Sequence, residues 1–172
     1  DAGAHQSVCD GTSVTLSGSG AVSYIWNNGV TDGVPFVPTA TDTYTVTGTD
    51  TNGCIATDSV SVSINPLPIV DAGVDTAICD GESITLNGSG ASTYTWDNGV
   101  SDSVSFTPSA TTTYTVTGTD ANTCQATDSV TVTVNALPSV DAGADTAICD
   151  GASITLNGSG ASTYTWDNGV SD

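Results

Sequence analysis

The sequence predicts an all-β protein in which small sandwich domains follow one another end to end. Three observations predict it. Apolar and Ser/Thr residues alternate with period two, the signature of half-buried strands. Clusters of Gly, Asp, Asn and Pro interrupt the alternation about every 8–12 residues, the spacing of short strands in a sandwich. The whole pattern also recurs: Asp1-Ala2-Gly3 returns at Asp71 and Asp141, a step of 70 residues, and Trp26 returns as Trp96 and Trp166. A fixed period of this length marks an array of like domains. The expected units are residues 1–70, residues 71–140, and residues 141–172 as the first part of a third copy. Over the stretch they share, the second and third copies differ only at Val74/Ala144 and Glu82/Ala152. Because the third copy breaks off early, the chain is expected to be a piece of a longer repetitive protein.

The second copy shows the elements in order. Ser83-Ile84-Thr85-Leu86 alternates, with Ile84 and Leu86 on one face. Thr93-Tyr94-Thr95-Trp96 repeats the pattern, with Tyr94 and Trp96 directed inward, and Asp97-Asn98-Gly99 closes it with a strong turn signal. Val104 and Phe106 make a third inward pair ahead of Pro108. Thr113–Thr117 and Ser129–Val134 are the last two strands, joined by a turn at Asp120-Ala121-Asn122. Each Trp shares a face with a Tyr two residues earlier, which makes it a core residue and not a sugar platform. Asn65-Pro66-Leu67-Pro68 and Asn135-Ala136-Leu137-Pro138 are short linkers that leave little slack between domains.

Composition narrows the function. The 172 residues contain no Lys or Arg and 19 acidic side chains, for a formal charge of -19. Such a surface repels nucleic acid and anionic lipid. No stretch approaches the roughly 18 apolar residues of a membrane-spanning helix, so no membrane insertion is expected. One His and no Lys leave no nucleophile–base system, so the chain is not expected to be an enzyme. All the acids but Glu82 are Asp, a turn former and a short, hard oxygen ligand. Five Cys without a CxxC pair suit disulfides better than zinc, which points to an oxidising, extracellular setting.

The stretches Asp71-Ala72-Gly73-Val74-Asp75, Gly81–Gly90, Tyr94-Thr95-Trp96, Thr113–Val116 and Asp128–Val132 resemble PKD-like and immunoglobulin-like repeats. More narrowly, they resemble the tandem repeats of giant Bacteroidota surface proteins exported by type 9 secretion. The PKD-type Trp-Asp-Phe-Gly-Asp-Gly stretch is altered here to Trp96-Asp97-Asn98-Gly99. The resemblance implies immunoglobulin-like sandwiches, with Tyr44 and Tyr114 in the place of the tyrosine-corner residue. It also implies the shaft of a surface filament or adhesin serving adhesion, gliding or surface and prey capture. The expected partners are neighbouring repeats of the same chain and laterally bundled identical chains. The alternative is a module whose repeats themselves bind Ca²⁺ or carbohydrate.

The implied strand order bears on the cysteines. Cys79 falls in the turn between the first two strands and Cys124 just after the turn between the last two, at opposite ends of an immunoglobulin-like sandwich. About six or seven residues of strand separate those ends by roughly 20 Å, whereas a disulfide needs Cα atoms within about 7 Å. Head-to-tail stacking instead brings Cys9 of the first repeat to Cys124 of the second. Cys54, Cys79 and Cys149 would then find partners beyond the sequence. Pairing within each repeat, Cys9 with Cys54 and Cys79 with Cys124, stays an alternative, as do unpaired thiols. The same junction gathers Asp10, Asp71 and Asp120, whose carboxylates with backbone carbonyls offer oxygens suited to Ca²⁺. The other reading is that these Asp residues cap turns. Finally, Asp followed by Ser or Thr and an apolar residue resembles a Bacteroidota O-glycosylation motif, which marks Ser59, Thr76, Ser103, Ser129 and Thr146.

Overall fold

A computed structural model of the chain describes residues 1–170; Ser171 and Asp172 lie outside the described residues. Ten strands are present, and no helix occurs among the described residues. In the first repeat these are β1 (Gln6–Cys9), β2 (Ser23–Trp26), β3 (Asp42–Thr49) and β4 (Ile55–Asn65). The second has β5 (Thr76–Cys79), β6 (Ile84–Thr85), β7 (Thr93–Trp96), β8 (Ser105–Phe106), β9 (Thr112–Thr119) and β10 (Gln125–Asn135).

The two repeats build the same sheet, ordered β1-β4-β3-β2 in the first and β5-β10-β9-β7 in the second. The long last strand pairs antiparallel with the strand before it along most of its length, Val130 facing Tyr114 and Val60 facing Tyr44. At its far end it accepts the first strand in parallel, with Cys79 opposite Asn135 and Cys9 opposite Asn65. A second layer lies across this sheet. In the second repeat it is the pair β6-β8, Ile84 facing Phe106, and in the first it shrinks to a bridge between Val14 and Phe36. The second copy opens on an isolated bridge, Asp71–Ser89, before its chain joins the main sheet at Thr76, and the third copy repeats only the bridge, Asp141–Ser159. A first strand shared between two sheets, followed by this antiparallel order, is the topology of an immunoglobulin-like sandwich.

Alternation explains the core. Val130 and Val132 point inward from β10, Tyr114 and Val116 from β9, Trp96 from β7 and Leu86 from the opposite layer. The corresponding residues Val60, Val62, Tyr44, Val46, Trp26 and Leu16 form a second, separate core in the first repeat. Each core has only seven or eight buried residues, which leaves a domain of this size marginal by itself. The turns follow residue chemistry. Asn98 and Gly99 both take left-handed backbone (φ 52° and 74°), the requirement of a type I′ turn.

Two details depart from the sequence expectations. Val104 is 54% exposed and only Phe106 of the expected pair packs on the core. The cause is local: the Val104 amide donates to Ser101 O in a turn, and regular strand begins only at Ser105. Tyr44 and Tyr114 sit in the cores edge-to-face with Phe36 and Phe106. The tyrosine hydroxyls that tie a loop belong instead to Tyr24, Tyr94 and Tyr164, which bond the backbone of Ala21, Ala91 and Ala161. Gly18, Gly88 and Gly158 leave room for those rings, since a Cβ at any of them would overlap the ring.

Residues 141–170 repeat the entry turn and the tyrosine-tied loop but contribute no strand and no buried residue. Trp166 joins neither of the two cores and is half-buried.

Candidate functional site at the repeat junction

The first and second repeats meet where β4 ends and the chain passes through Pro66-Leu67-Pro68-Ile69-Val70. Three contacts fix the crossing. Val70 packs on the second core and lies over Gly118, where a Cβ would fall 2.5 Å from Val70 Cγ2. The Ile69 carbonyl passes over Gly90, whose left-handed φ of 86° and missing side chain let the linker approach; a Cβ there would overlap the carbonyl. Beyond them, Cys9 and Cys124 form a disulfide across the junction, with Cα atoms 5.5 Å apart. Cys124 is 0% exposed.

The loop before Cys124 is held by one carboxylate. Asp120 Oδ1 accepts from the amides of Asn122 and Cys124 (2.8 Å each), which sets the cysteine at the start of β10. On the other side, Cys9 ends β1, and the Asp10 amide donates to Asn65 O (2.9 Å). The strand register explains why the bridge runs between repeats. Cys79 faces Asn135 at one end of β10, and Cys124 immediately precedes Gln125 at the other. At about 3.3 Å per residue, the 11-residue strand separates them by roughly 35 Å. The strand is longer than the sequence pattern suggested, which puts Cys79 further still from Cys124. Cys54, Cys79 and Cys149 are exposed thiols.

The three acids considered as a cation site lie near this junction, but two are already engaged. Asp120 caps its own loop, and Asp71 Oδ1 accepts from the Gly73 amide at 2.8 Å. No group of three or more His, Cys, Asp or Glu residues suited to a metal occurs among the described residues.

Asp residues recur in structural roles that residue type alone concealed. Asp102 Oδ1 accepts from Gly88 N (2.8 Å) and Trp96 Nε1 (2.9 Å), and Asp32 does the same for Gly18 N and Trp26 Nε1. Those bonds, the glycine amide first, hold both carboxyls below the ordinary value of 3.8. Asp128 Oδ2 clamps the Ala72 amide of the entry strand (2.8 Å), and Asp58 clamps Ala2 likewise. Their carboxyls are lowered too, chiefly by that amide. Asp75 accepts from the Thr131 amide on the last strand (2.8 Å), and in the first repeat His5 Nδ1 accepts from Ser61 N (3.0 Å) in the same place. With no Lys or Arg in the chain, backbone amides and the indole N–H take the place of ion pairs. The signal for all of this was recurrence at a step of 70 residues beside core positions.

The same geometry bears on the candidate glycosylation residues. In the Asp-Ser/Thr pairs, Asp58, Asp75, Asp102 and Asp128 each serve the fold. The hydroxyl partners Ser59, Ser103, Ser129 and Thr146 are exposed, and Thr76 is half-buried. Ser103 Oγ donates to Asn87 Oδ1 at 2.9 Å.

No protein-family model matches the chain, and no curated protein sequence matches it. Solved structures with a similar course of chain are immunoglobulin-domain proteins. The first eight immunoglobulin domains of Down syndrome cell adhesion molecule, isoform 1.30.30, align at 17% identity over 82% of this chain and 28% of that one (TM-score 0.36). The insect immune protein hemolin aligns at 16% identity over 78% of this chain and 46% of that one (TM-score 0.39). Immunoglobulin domains 1–5 of Sidekick-1 align at 16% identity over 78% and 38% (TM-score 0.38). The chain therefore spans less than half the length of each of these structures. The assignment to immunoglobulin-like sandwiches rests on the strand order.

Proposed function

We propose that the chain is a segment of a structural shaft: immunoglobulin-like sandwiches stacked end to end in an extracellular surface filament or giant adhesin, stiffened at their junctions by disulfides. The observation that carries this reading is the Cys9–Cys124 bridge, placed across a junction whose linker is already packed through Val70 and Ile69. A bridge between domains does little for a ligand site, but it stops two small domains from pivoting or separating under tension. The function follows mechanically. Load enters through the first strand, passes along the long last strand, and crosses at the cystine. Binding would belong to another part of the protein, in adhesion, gliding or capture.

An extracellular location fits the cystine, which persists in oxidising surroundings. The narrower setting, a type 9 secreted Bacteroidota surface protein, rests on the sequence resemblance alone. Lateral bundling of identical chains fits the Ser/Thr faces, which carry little to oppose pairing, once counter-ions screen the charge of -19.

Small-angle scattering of the oxidised and reduced chain tests the shaft. The oxidised chain should keep one extended maximum dimension, and reduction should broaden the distance distribution as the junction loosens. Identical curves would remove the stiffening role. Saturable glycan or Ca²⁺ binding by the same sample would favour the binding-module reading instead.

A further inference from the structure

The first and second repeats present the same face toward their N-terminal side, but only one of these faces is covered. In the second repeat, Val70 lies on Gly118, which Ala91 also flanks, Ile69 O lies on Gly90, and Cys9 is bonded to Cys124. In the first, the corresponding Gly48, Ala21, Gly20 and Cys54 line an open cavity of about 380 Å³. Nothing stands within 4 Å of a Cβ built at Gly20. Covering changes burial along the last two strands, while the loop pairs Gly20/Gly90 and Ala21/Ala91 keep theirs: Gly118 and Cys124 are buried where Gly48 is half-buried and Cys54 exposed, and Ala126 and Asp128 are half-buried where Ala56 and Asp58 are exposed.

The uncovered face already has the covered geometry. Asp50 Oδ1 holds the Asn52 and Cys54 amides at 2.8 Å, as Asp120 holds those of Asn122 and Cys124. The Asp1 amino group donates to Ser19 O at 3.0 Å, the distance of the Asp71 amide to Ser89 O and the Asp141 amide to Ser159 O. A residue joined to Asp1 therefore leaves along the path that Val70 takes from Asp71. The linker crossing recurs at the next junction, where Ser139 O passes over Gly160.

We infer that the cavity of the first repeat is a socket for the exit end of another copy of this repeat. A linker valine fills it and the cysteine of that copy's first turn bonds Cys54. This rests on the stacked-shaft reading and names the surface that extends the stack. Bond formation breaks two S–H bonds and makes one S–S bond. Two electrons and two protons pass to a disulfide oxidant such as oxidised glutathione, which becomes two thiols.

The test is the full chain carrying an added copy of residues 71–140 ahead of Asp1, oxidised with glutathione, alkylated and mapped by mass spectrometry. Cys54 should lose its alkylation and appear bonded to the added copy's counterpart of Cys79. A second extended chain, with that counterpart changed to Ser, isolates docking. Its amides at 48–58 should gain hydrogen-exchange protection at least tenfold over the unextended chain, approaching those at 118–128. Cys54 still alkylated, with Cys9–Cys124 intact in the same sample, overturns the socket and leaves the shaft standing. If Cys9 is also alkylated, both fall. Unchanged exchange at 48–58 likewise overturns the socket.

Discussion

The entry faces of the first and second repeats are a matched pair in one molecule. Each has a glycine, Gly48 or Gly118, where a Cβ would strike the alanine of the neighbouring loop, an Asp-capped loop and a cysteine just ahead of the last strand. They differ in what covers them: Val70, Ile69 and Cys9 in one case, and none of the described residues in the other. The cores beneath are nearly identical, so the difference measures the junction alone. A domain of about 70 residues with seven or eight buried side chains gains from its neighbour what it cannot bury by itself.

The largest effect should come from the cystine. Cys124→Ser opens a cross-link spanning 115 residues, and the chain-entropy model assigns a loop of that length about 4–5 kcal/mol. Cys54→Ser should change stability by less than about 0.5 kcal/mol, as surface substitutions do. Denaturant melts of the two variants against the parent check the pair. Equal effects would remove the contrast between the faces.

Next comes the linker. Val70→Ala empties the site over Gly118 and should cost about 1–2 kcal/mol, measured by denaturant unfolding of the second repeat. The cystine should still form, because its two loops are set by Asp120 and Asn65. Loss of the cystine in this variant would show that the valine, and not the loops, aligns the sulfurs.

Acid should weaken both repeats together. Asp32, Asp58, Asp102 and Asp128 all have carboxyls lowered from 3.8 by amide or indole hydrogen bonds. The folded state therefore holds protons less tightly than the unfolded. The stability these bonds give is complete above the unfolded value and is lost as pH falls below it, through the folded values. Circular dichroism during acid titration should show the loss beginning under about pH 4. Asp128→Asn should flatten that loss in the second repeat while the first keeps it.

The smallest effect belongs to His5→Asp. Asp75 accepts from the last strand where His5 does, so the exchange should shift the melting midpoint at pH 7 by no more than about a degree or two. A large loss would mean that the imidazole packs in a way the carboxylate cannot reproduce.

Much of the fold was legible because strands have a period of two. Thr93–Trp96, Thr113–Thr117 and Ser129–Val134 alternate cleanly and lie in β7, β9 and β10. The parallel docking of β5 on β10 was not legible, since register between distant segments is set by the packed faces and leaves no local mark. Val104 misled because it keeps the alternation while Ser101 turns the chain. Asp32, Asp58, Asp102 and Asp128 were hidden by their type: aspartate reads as a turn former, and only the fold shows which amide or indole it faces. For the cysteines, separation along the strand pointed away from pairing within a repeat, and the direction of stacking supplied a neighbour.

The central claim is that the repeats are joined covalently from one junction side to the other. Trypsin has no Lys or Arg to cleave, so the direct measurement is a non-reducing peptide map after digestion on the N-terminal side of Asp and alkylation of unpaired thiols. Joined repeats require the peptide holding Cys9 to remain bonded to the peptide holding Cys124, with Cys54, Cys79 and Cys149 alkylated. A Cys9–Cys54 or Cys79–Cys124 peptide pair would contradict it, and each repeat would then be closed on itself.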